Sequence, residues 1–312
     1  MENTESISSR KNWKITRQKM EGSSLAEATP GRIKSIKKWF VFSYLIKFFE
    51  FFLRKTRLYE RGRRNANEIE VNLLEHSFKN LPLDFNGKCI LHISDLHLQE
   101  RAHIVDSICK LVKGHHVDVL VFTGDFSTRN VNNLTDEEIG DLVRKIILVS
   151  KPKMGCFGVL GNHDHSGLVP ALENAGVQML INEAVDLNLN NSSIRIVGTD
   201  DPHYYYTDRA REILQSSGEK FSIALVHTPE LFDIAMVSGV DFYLCGHSHG
   251  GQVCLPFKIP IFTHLNSGKR FFRGLWRLKS MRGYTSKGAG TVALPIRFNA
   301  VAEITFHYLR SD

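Results

Sequence analysis

Short apolar runs alternate with stretches of helical spacing from residue 88 onward. Five runs are almost continuously apolar, which is typical of strands covered on both faces: residues 88–94, 117–123, 155–160, 221–227 and 240–245. Four intervening segments carry the spacing of amphipathic helices: residues 103–113, 136–149, 168–176 and 229–239. The pattern of residues 184–198 predicts a hairpin about Asn190 and Asn191. Alternating strands and helices over one large segment predict an α/β layered fold.

The first 64 residues follow a different pattern. Residues 1–35 are polar and have no apolar period, so we expect a disordered, basic N-terminus that lacks the apolar core of a secretory signal peptide. Residues 36–64 are rich in aromatic side chains with basic flanks, which favours a helix lying in the headgroup region of a membrane. Their apolar part, 39–53, is shorter than the roughly 20 residues that span a bilayer. The alternatives are packing of this helix on the domain of residues 65–312 and a true membrane span.

Composition constrains the size of the fold and the class of partner. The 312 residues, 42% of them hydrophobic, can bury the core of one large domain or two small ones. The net charge of +7 favours an anionic partner, and much of the excess precedes residue 65. Because that excess lies beside the aromatic helix, it favours anionic lipid, and we expect no nucleic-acid partner. The five cysteines include no C-x-x-C pair, which favours reduced thiols in a cytosolic compartment.

Each of the five predicted strands ends in side chains that can bind a metal ion or move a proton. Ligands of α/β folds gather where strands end and loops begin. Each motif alone also occurs in ordinary turns, but five in series predict a metal site. The residues, strand by strand, are Asp95 and His97, then Asp125, then Asn162, His163 and Asp164, then His227, and finally His247 and His249.

The residue types favour a centre with two metal ions. Asp95 and His97 are two apart in extended chain and therefore point to the same side. A carboxylate such as Asp125 has two oxygens and can bridge two ions. Mixed nitrogen and oxygen ligands suit Mn, Fe or Zn. Two ions roughly 3.5 to 4 Å apart can hold a hydroxide and stabilise in-line displacement at phosphorus. Glycines around His247 and His249 let the loop backbone approach an ion closely.

The ordered motifs D-x-H, G-D, G-N-H-D, H and G-H-x-H, from Asp95 to His249, resemble those of the calcineurin-like metallophosphoesterases. Residues 200–202, 246–256 and 286–304 look like the bacterial membrane-associated branch known as the YaeI/YkuE type. The resemblance implies a four-layer α/β/β/α sandwich, here preceded by the N-terminal membrane-associated helix. It also implies two divalent metal ions as cofactors, Mn²⁺ foremost, with Fe and Zn as alternatives.

The resemblance also implies roles for individual residues. His163 acts at the phosphoryl or leaving oxygen, and Asp164 orients it. Arg282 and Arg297, in glycine-rich segments of the tail, are candidates for binding a substrate phosphate, with a surface salt bridge as the alternative. Asp200 and Asp201 either support the site or turn the chain. The implied ligands are Asp95, His97 and His249 for one ion and Asn162, His227 and His247 for the other, with Asp125 bridging them.

The implied reaction is hydrolysis of a phosphodiester or pyrophosphate bond by a two-metal enzyme. A helix on the membrane surface beside such a site favours a substrate with acyl chains, at the cytoplasmic face of the bacterial inner membrane. Some members of the branch resemble enzymes that cleave UDP-2,3-diacylglucosamine to lipid X (2,3-diacylglucosamine 1-phosphate) and UMP in lipid A biosynthesis, and this is the preferred substrate. The alternatives are another phospholipid, a small phosphodiester, or a membrane adaptor that has lost catalysis.

Overall fold

The strands and helices come from a computed structural model that describes residues 2–22, 48–217 and 220–312. The strands are β1 (Ile69–Phe78), β2 (Cys89–Ile93), β3 (Val119–Phe122), β4 (Cys156–Gly158), β5 (Gln178–Met179), β6 (Glu183–Leu189), β7 (Ser192–Gly198), β8 (Ser222–Leu225), β9 (Phe242–Cys245), β10 (Cys254–Leu255), β11 (Ile259–Pro260), β12 (Gly274–Leu278), β13 (Met281–Thr285) and β14 (Ala302–Ser311). The α-helices are α1 (Glu2–Gly22), α2 (Leu58–Asn67), α3 (Leu98–Arg101), α4 (Ile104–Val112), α5 (Asp136–Ser150), α6 (Val169–Ala175), α7 (Asp208–Gln215) and α8 (Phe232–Val237). Residues 48–55 are also helical.

Two six-stranded sheets form the framework of the domain. The first has the order β1-β14-β2-β3-β4-β5, and its neighbours are parallel except for β14 with β2. The second has the order β12-β13-β9-β8-β7-β6, and only its two outer pairs are antiparallel. The five strands predicted from the apolar runs are confirmed as β2, β3, β4, β8 and β9. They divide between the two sheets, which the order of the runs along the chain does not indicate.

The core lies in three layers, one between the sheets and one on each outer face. Ile90 and Val121 of the first sheet pack with Ile223 and Leu244 of the second in the middle layer. The next residue along β2, Leu91, faces the opposite way and packs beneath α4 and α5. The outer face of the second sheet packs against α7 and α8 in the same manner. Alternation along each strand therefore produces the four-layer α/β/β/α arrangement.

Local sequence signals account for the ends of several elements. Thr135 begins α5 with a capping box, in which its hydroxyl accepts the amide of Glu138 and the Glu138 carboxylate accepts the amide of Thr135. Gly176 ends α6 at a φ of 106°, which a side chain would resist. The predicted hairpin is confirmed as β6 and β7, with Asn190 at a left-handed φ of 51°. The predicted helices correspond to α4, α5, α6 and α8.

The ends of five strands from both sheets meet at one edge of the sandwich. The loop after β2 bonds to the loop after β3 through the amide of Asp95 and the carbonyl of Gly124, at 3.0 Å. The loop after β9 crosses to the first sheet, because the amide of His247 donates to the Asp95 carboxylate at 3.1 Å. Motifs that are distant along the chain are therefore brought together at this edge.

Helix α1 lies in the segment for which the sequence predicts disorder, so that prediction is wrong for residues 2–22. Residues 23–35 lie outside the described residues. Polar side chains dock this helix on the domain: the indole of Trp13 donates to Asp200 at 2.7 Å, and Arg10 pairs with Glu183 at 2.8 Å. A search for an apolar period does not detect a helix that is held by charged and aromatic side chains.

Arg17 forms the most deeply buried contact of α1 with the domain. Its guanidinium pairs with the carboxylate of Asp200 and lies over the ring of Tyr205 at 3.3 Å. It also donates to the main-chain carbonyls of Asp164 at 2.8 Å and Gly161 at 3.2 Å. Arg17 is 1% exposed, so these contacts replace almost all of its hydration.

The predicted membrane-associating segment, 36–64, is only partly described, because residues 36–47 lie outside the described residues. Its later part contains the helical residues 48–55 and then α2. Leu53 and Tyr59 pack against Ile296 on the domain. Among the described residues, no helix is long and apolar enough to cross a membrane. Association of this segment with a membrane surface stays a prediction.

The five cysteines are free thiols, as the sequence predicts.

Replacing Arg17 with Ala should release α1, because it leaves the buried carboxylate of Asp200 without its cation. Breaking a buried pair on one side costs about 3 to 5 kcal/mol, whereas the half-exposed pairs of Arg10 are worth about 1 kcal/mol or less. Amide hydrogen exchange over residues 9–22 should accelerate about a hundredfold in Arg17→Ala and only a few-fold in the matched control Arg10→Ala. Unprotected exchange in the wild-type helix would contradict the docked arrangement.

Candidate metal centre

Two sets of buried side chains converge where the strands of both sheets end. Within each set, the candidate ligand atoms all lie within 4.8 Å of one another. Each set combines residues from both sheets, since His227, His247 and His249 follow strands of the second sheet. The first set is Asp95, His97 and His249, and the second is Asp125, His227 and His247.

Asn162, a ligand in the sequence prediction, lies beside the second set. Its Oδ1 lies 3.0 Å from Nε2 of His227 and 2.7 Å from Nδ1 of His247. In the first set, Nε2 of His97 and Nε2 of His249 are 3.1 Å apart. Ligand atoms held about 2.0 to 2.2 Å from one ion are themselves about 3 Å apart when adjacent around it. The spacing of these side chains therefore fits one divalent ion in each set.

The carboxylate of Asp125 lies between the two sets. Its Oδ2 is 3.6 Å from Nε2 of His97 and 3.4 Å from Nε2 of His227. Its other oxygen, Oδ1, accepts the main-chain amide of His163 at 2.8 Å. Because that hydrogen bond fixes the carboxylate, one oxygen faces both sets, which is the position that a bridging ligand requires.

A hydrogen bond fixes the position of one proton on His227. Its Nδ1 lies 2.7 Å from the carbonyl oxygen of Thr123, which can only accept, so Nδ1 carries a proton and Nε2 faces the centre. Nδ1 of His247 faces Oδ1 of Asn162 at 2.7 Å, and its Nε2 lies 3.4 Å from the carbonyl oxygen of His264. Such partners orient the metal ligands of proteins and keep a lone pair available.

The main chain of this region adopts conformations that side chains rarely tolerate. A left-handed φ on a residue other than glycine is uncommon, costs about 1 to 3 kcal/mol, and clusters at functional sites. Gly246 is needed because of close packing and not because of its φ, since a Cβ there would collide with the side chains of Ser94 and Asp95. Five of the seven predicted ligands are left-handed, at φ between 49° and 71°: Asp95, His97, Asp125, His247 and His249.

Burial and neighbouring charges together set the protonation of these side chains. Burial opposes the charged form of His227, but Asp125 raises its pKa to about 10, so a cation that binds there displaces a proton. Burial lowers the pKa of His97 to about 3 and lowers that of His249 well below its ordinary value, so both imidazoles are neutral, as metal binding requires.

Burial raises the pKa of the Asp95 carboxyl to about 7. For Asp125 burial acts in the same direction, but His227 and then His163 hold its pKa well below the ordinary value. A bound cation would favour the ionised form of both carboxylates.

His163 lies at the half-buried rim of the centre. Its ring stands nearly perpendicular to that of His97, with centroids 5.0 Å apart. Its Nδ1 accepts the main-chain amide of Arg129 at 3.2 Å, so the neutral imidazole carries its proton on Nε2. Burial lowers the pKa of His163, which keeps this form present at neutral pH. The residue can therefore donate a hydrogen bond to an oxygen bound at the centre.

The expected contact of Asp164 with His163 is replaced by bonds to the main chain. Its Oδ2 accepts the amides of Asp125 and Gly161, both at 2.8 Å, and its Oδ1 accepts the amide of Ser127 at 2.9 Å. Asp164 therefore ties the loop after β3 to the loop after β4. The imidazole of His163 is oriented by the amide of Arg129, so the expectation that Asp164 orients it is wrong.

Arg282 does not reach the centre, and Arg297 touches it through His249, whose Nδ1 lies 3.4 Å from Nη2 of Arg297. Arg282 lies near the start of β13, opposite Phe242, whereas the ligands follow the other end of the neighbouring strand. Arg297 is fully buried and donates to main-chain carbonyls, among them those of Lys287 at 2.7 Å and His249 at 3.3 Å. Glycine-rich sequence around an arginine thus indicates a buried brace here, not a phosphate ligand. Arg297 shapes the loop that carries His249.

Sequence reasoning missed Arg17, whose bonds to the carbonyls of Gly161 and Asp164 flank the G-N-H-D motif. The signal in the sequence was its helical spacing from Trp13 and Glu21, which places the three side chains on one face of a helix. Glu21 accepts the amide of Ser166 at 2.7 Å on the same loop. Asp200 supports the site through Arg17, and Asp201 accepts the amide of Tyr204 at 2.8 Å. A cleft of about 590 Å³ opens beside His163, with Thr128, Arg129, Glu21 and Tyr205 among its lining residues.

Comparison with known proteins is consistent with this geometry. The family described as calcineurin-like phosphoesterase matches residues 90–251. An uncharacterized metallophosphoesterase of Bacillus subtilis, YkuE, is 31% identical over 80% of this chain and 90% of its own. The phosphodiesterase YaeI of Escherichia coli is 25% identical, over 69% of this chain and 80% of its own. The UDP-2,3-diacylglucosamine pyrophosphatase LpxG of Chlamydia trachomatis is also 25% identical, over 72% of this chain and 86% of its own.

The matched segment includes every predicted ligand from Asp95 to His249. It also includes the loops that the two sheets bring to one edge, so the similarity covers the centre and its framework together. The resemblance seen in the motifs is thereby confirmed. The chain belongs to the calcineurin-like phosphoesterases, and the protein is a metal-dependent phosphoesterase.

Proposed function

We propose that this phosphoesterase hydrolyses a phosphodiester or pyrophosphate bond at a centre of two divalent ions. The observation that carries the proposal is the position of Asp125, whose Oδ2 lies 3.4 to 3.6 Å from an imidazole nitrogen of each set. A single ion held by one set leaves the other set of buried histidines without a role. Mn²⁺ is the proposed ion, with Fe and Zn as alternatives, because the ligands mix imidazole, carboxylate and amide groups.

The bound ions supply positive charge at phosphorus and lower the pKa of water. The protein contributes the geometry around them. Asp95, His97 and His249 hold one position, Asn162, His227 and His247 hold the other, and Asp125 joins the two. His163 directs the proton on its Nε2 toward a phosphoryl oxygen or the leaving oxygen. Arg129 keeps that tautomer through its main-chain amide, and Asp164 holds the two loops that carry Asp125 and His163.

Two substitutions separate the proposed roles of bridge and proton donor. With bis(p-nitrophenyl) phosphate and Mn²⁺, Asp125→Asn should lose both activity and metal content, because a neutral amide lacks the negative charge with which a carboxylate bridges two cations. His163→Ala should keep its metal content while kcat falls by about 10² to 10⁴, the usual contribution of a positioned proton donor. His165→Ala is the matched control, since His165 is exposed and bonds to Asp136 at 3.0 Å. Wild-type activity in both Asp125→Asn and His163→Ala would overturn the proposal.

The proposed substrate is a lipid, most specifically UDP-2,3-diacylglucosamine, cleaved to lipid X and UMP in lipid A biosynthesis. Three observations support a membrane substrate: the relative named for that pyrophosphatase activity, the basic excess before residue 65, and the aromatic segment at 37–57. The corresponding location is peripheral, at the cytoplasmic face of the bacterial inner membrane. Another phospholipid or a small phosphodiester is the second candidate, supported by the relative named as a phosphodiesterase.

Genetic complementation distinguishes these substrates. In a bacterium depleted of its own UDP-2,3-diacylglucosamine hydrolase, expression of the wild-type chain should restore growth, and Asp125→Asn at equal abundance should not. Mass spectrometry of the purified reaction should show lipid X and UMP in equal amounts. Failure to restore growth at good expression, together with hydrolysis of a different phospholipid, would assign the enzyme to the second candidate. An inactive adaptor would show neither reaction.

A further inference from the structure

A hairpin beside the metal centre presents apolar side chains to solvent. It consists of β10 and β11, joined by residues 256–258, with Leu255 paired opposite Ile259. Phe257 at its tip is 95% exposed, and Leu255 and Ile259 are each more than half exposed. The apolar character continues along the chain through Ile261 and Phe262, which are also exposed. Apolar side chains grouped on a surface in this way mark a site of interaction with a membrane or with another protein.

The fold holds the tip of this hairpin outward. Phe257 and Lys258 both have left-handed φ values, 62° and 61°, which are uncommon for residues with large side chains. The guanidinium of Arg273 donates to the carbonyl of Lys258 at 3.0 Å and so braces the turn. The amide of Ile261 donates to the carbonyl of Val253 at 3.3 Å at its base. The turn that carries the exposed phenyl ring is therefore strained and braced through its main chain.

The helical residues 48–55 add a second group of exposed aromatic side chains next to this hairpin. Phe49 and Leu53, four apart on one face, pack in a cluster with Val253, which immediately precedes β10. Phe48, at 71% exposed, and Phe51 lie outside that contact and face solvent. We call the combined exposed set the apolar rim: Phe48, Phe51, Phe52, Leu255, Phe257, Ile259, Ile261 and Phe262.

The apolar rim adjoins the metal centre. The carbonyl oxygen of His264, two residues beyond Phe262, lies 3.4 Å from Nε2 of the predicted ligand His247. Within the hairpin itself, Pro260 of β11 packs so closely on Gly251 that a Cβ at Gly251 would collide with it. A surface that receives the rim therefore lies next to the loop that carries His247 and His249.

The charge of this region selects the kind of partner. The sequence contains no Asp or Glu from residue 242 to residue 302. Lys258 stands at the tip of the hairpin and is exposed, and Lys55 lies beside the aromatic residues of the helix, where Arg54 pairs with Glu50 at 2.7 Å. The exposed cations of the same acid-free stretch are Lys258, Lys269, Arg270, Arg277 and Lys279, and Arg273 is partly exposed. Apolar side chains bordered by cations complement the boundary between acyl chains and anionic headgroups.

We propose that the apolar rim enters the headgroup region of an anionic membrane and thereby places the metal centre beside the lipid surface. The proposal deepens the proposed function, on which it rests, because it specifies how a substrate with acyl chains reaches the cleft without leaving the bilayer. Phe257, Leu255 and Ile259 enter the boundary with the acyl chains, and Lys258 and Arg273 contact phosphate headgroups. The hairpin then acts together with the aromatic segment at 37–57, as two contacts are needed for stable peripheral binding.

The sharpest experiment reports on the tip of the hairpin alone. In the full chain, Phe257→Trp should show a blue-shifted emission on vesicles of phosphatidylcholine with phosphatidylglycerol, after subtraction of the wild-type tryptophans. Brominated acyl chains should quench this emission. Leu148→Trp, at an apolar position on α5 that is 64% exposed, is the control and should change little. If Phe257→Trp is not quenched while the protein sediments with the vesicles, the aromatic segment binds alone and the proposal is overturned.

A second variant tests the contribution of the rim to binding. The triple variant Leu255→Ser, Phe257→Ser and Ile259→Ser should lower vesicle partitioning by about tenfold or more. The control, Leu148→Ser with Val237→Ser, should partition like the wild type, and circular dichroism verifies the fold of both. Equal partitioning of the triple variant and the wild type overturns the proposal. A blue shift of Phe257→Trp that grows with protein concentration without vesicles also overturns it, and assigns the rim to a second copy of the chain. Hydrolysis of bis(p-nitrophenyl) phosphate without vesicles decides the proposed function separately.

Discussion

The position of the Asp125 carboxylate is the constraint on which the rest of the site depends. It is almost fully buried, and its Oδ2 faces imidazole nitrogens from both sets. Burying an ionised carboxylate is costly unless cations or donors compensate it. Main-chain amides donate to each of the three buried carboxylates: the amide of His163 to Asp125, three amides to Asp164, and the amide of His247 to Asp95. The strained left-handed residues follow from this need, since the loops must turn sharply to aim both amides and side chains inward.

The two-sheet architecture is what makes the convergence of these loops possible. A single parallel sheet presents its loops side by side, so the side chains at its edge form a row. Here Asp95, Asp125 and Asn162 come from the first sheet and His227, His247 and His249 from the second, so each set is closed by residues from opposite sides. The apolar layer between the sheets, with Ile90 and Ile223 among its members, therefore sets the distance between the two halves of the centre. The same apolar layer therefore contributes both to the stability of the fold and to the geometry of the centre.

The sequence identifies the side chains that converge in the two sets far better than it identifies the residues that support them. Asp95, His97 and the others follow directly from strand ends, because a buried strand and a polar turn are both local patterns. The support is non-local: Arg17 bonds to carbonyls about 145 residues away, and Arg297 braces the loop of His249 from the tail. Local sequence near Arg297 and Arg282 suggested phosphate binding, and only the packing shows that one is enclosed and the other is remote. The same limit explains why α1 escaped detection, since polar contacts with distant partners leave no apolar period.

The most direct test of the central claim is electron paramagnetic resonance of the protein loaded with Mn²⁺. Two ions that share the Asp125 carboxylate are magnetically coupled, so the account predicts an exchange-coupled multiline spectrum once two equivalents are bound. In Asp125→Asn that coupling should be lost. A spectrum of isolated Mn²⁺ ions in the fully loaded wild-type protein would contradict the account, because it would mean that the two sets of side chains do not act as one centre.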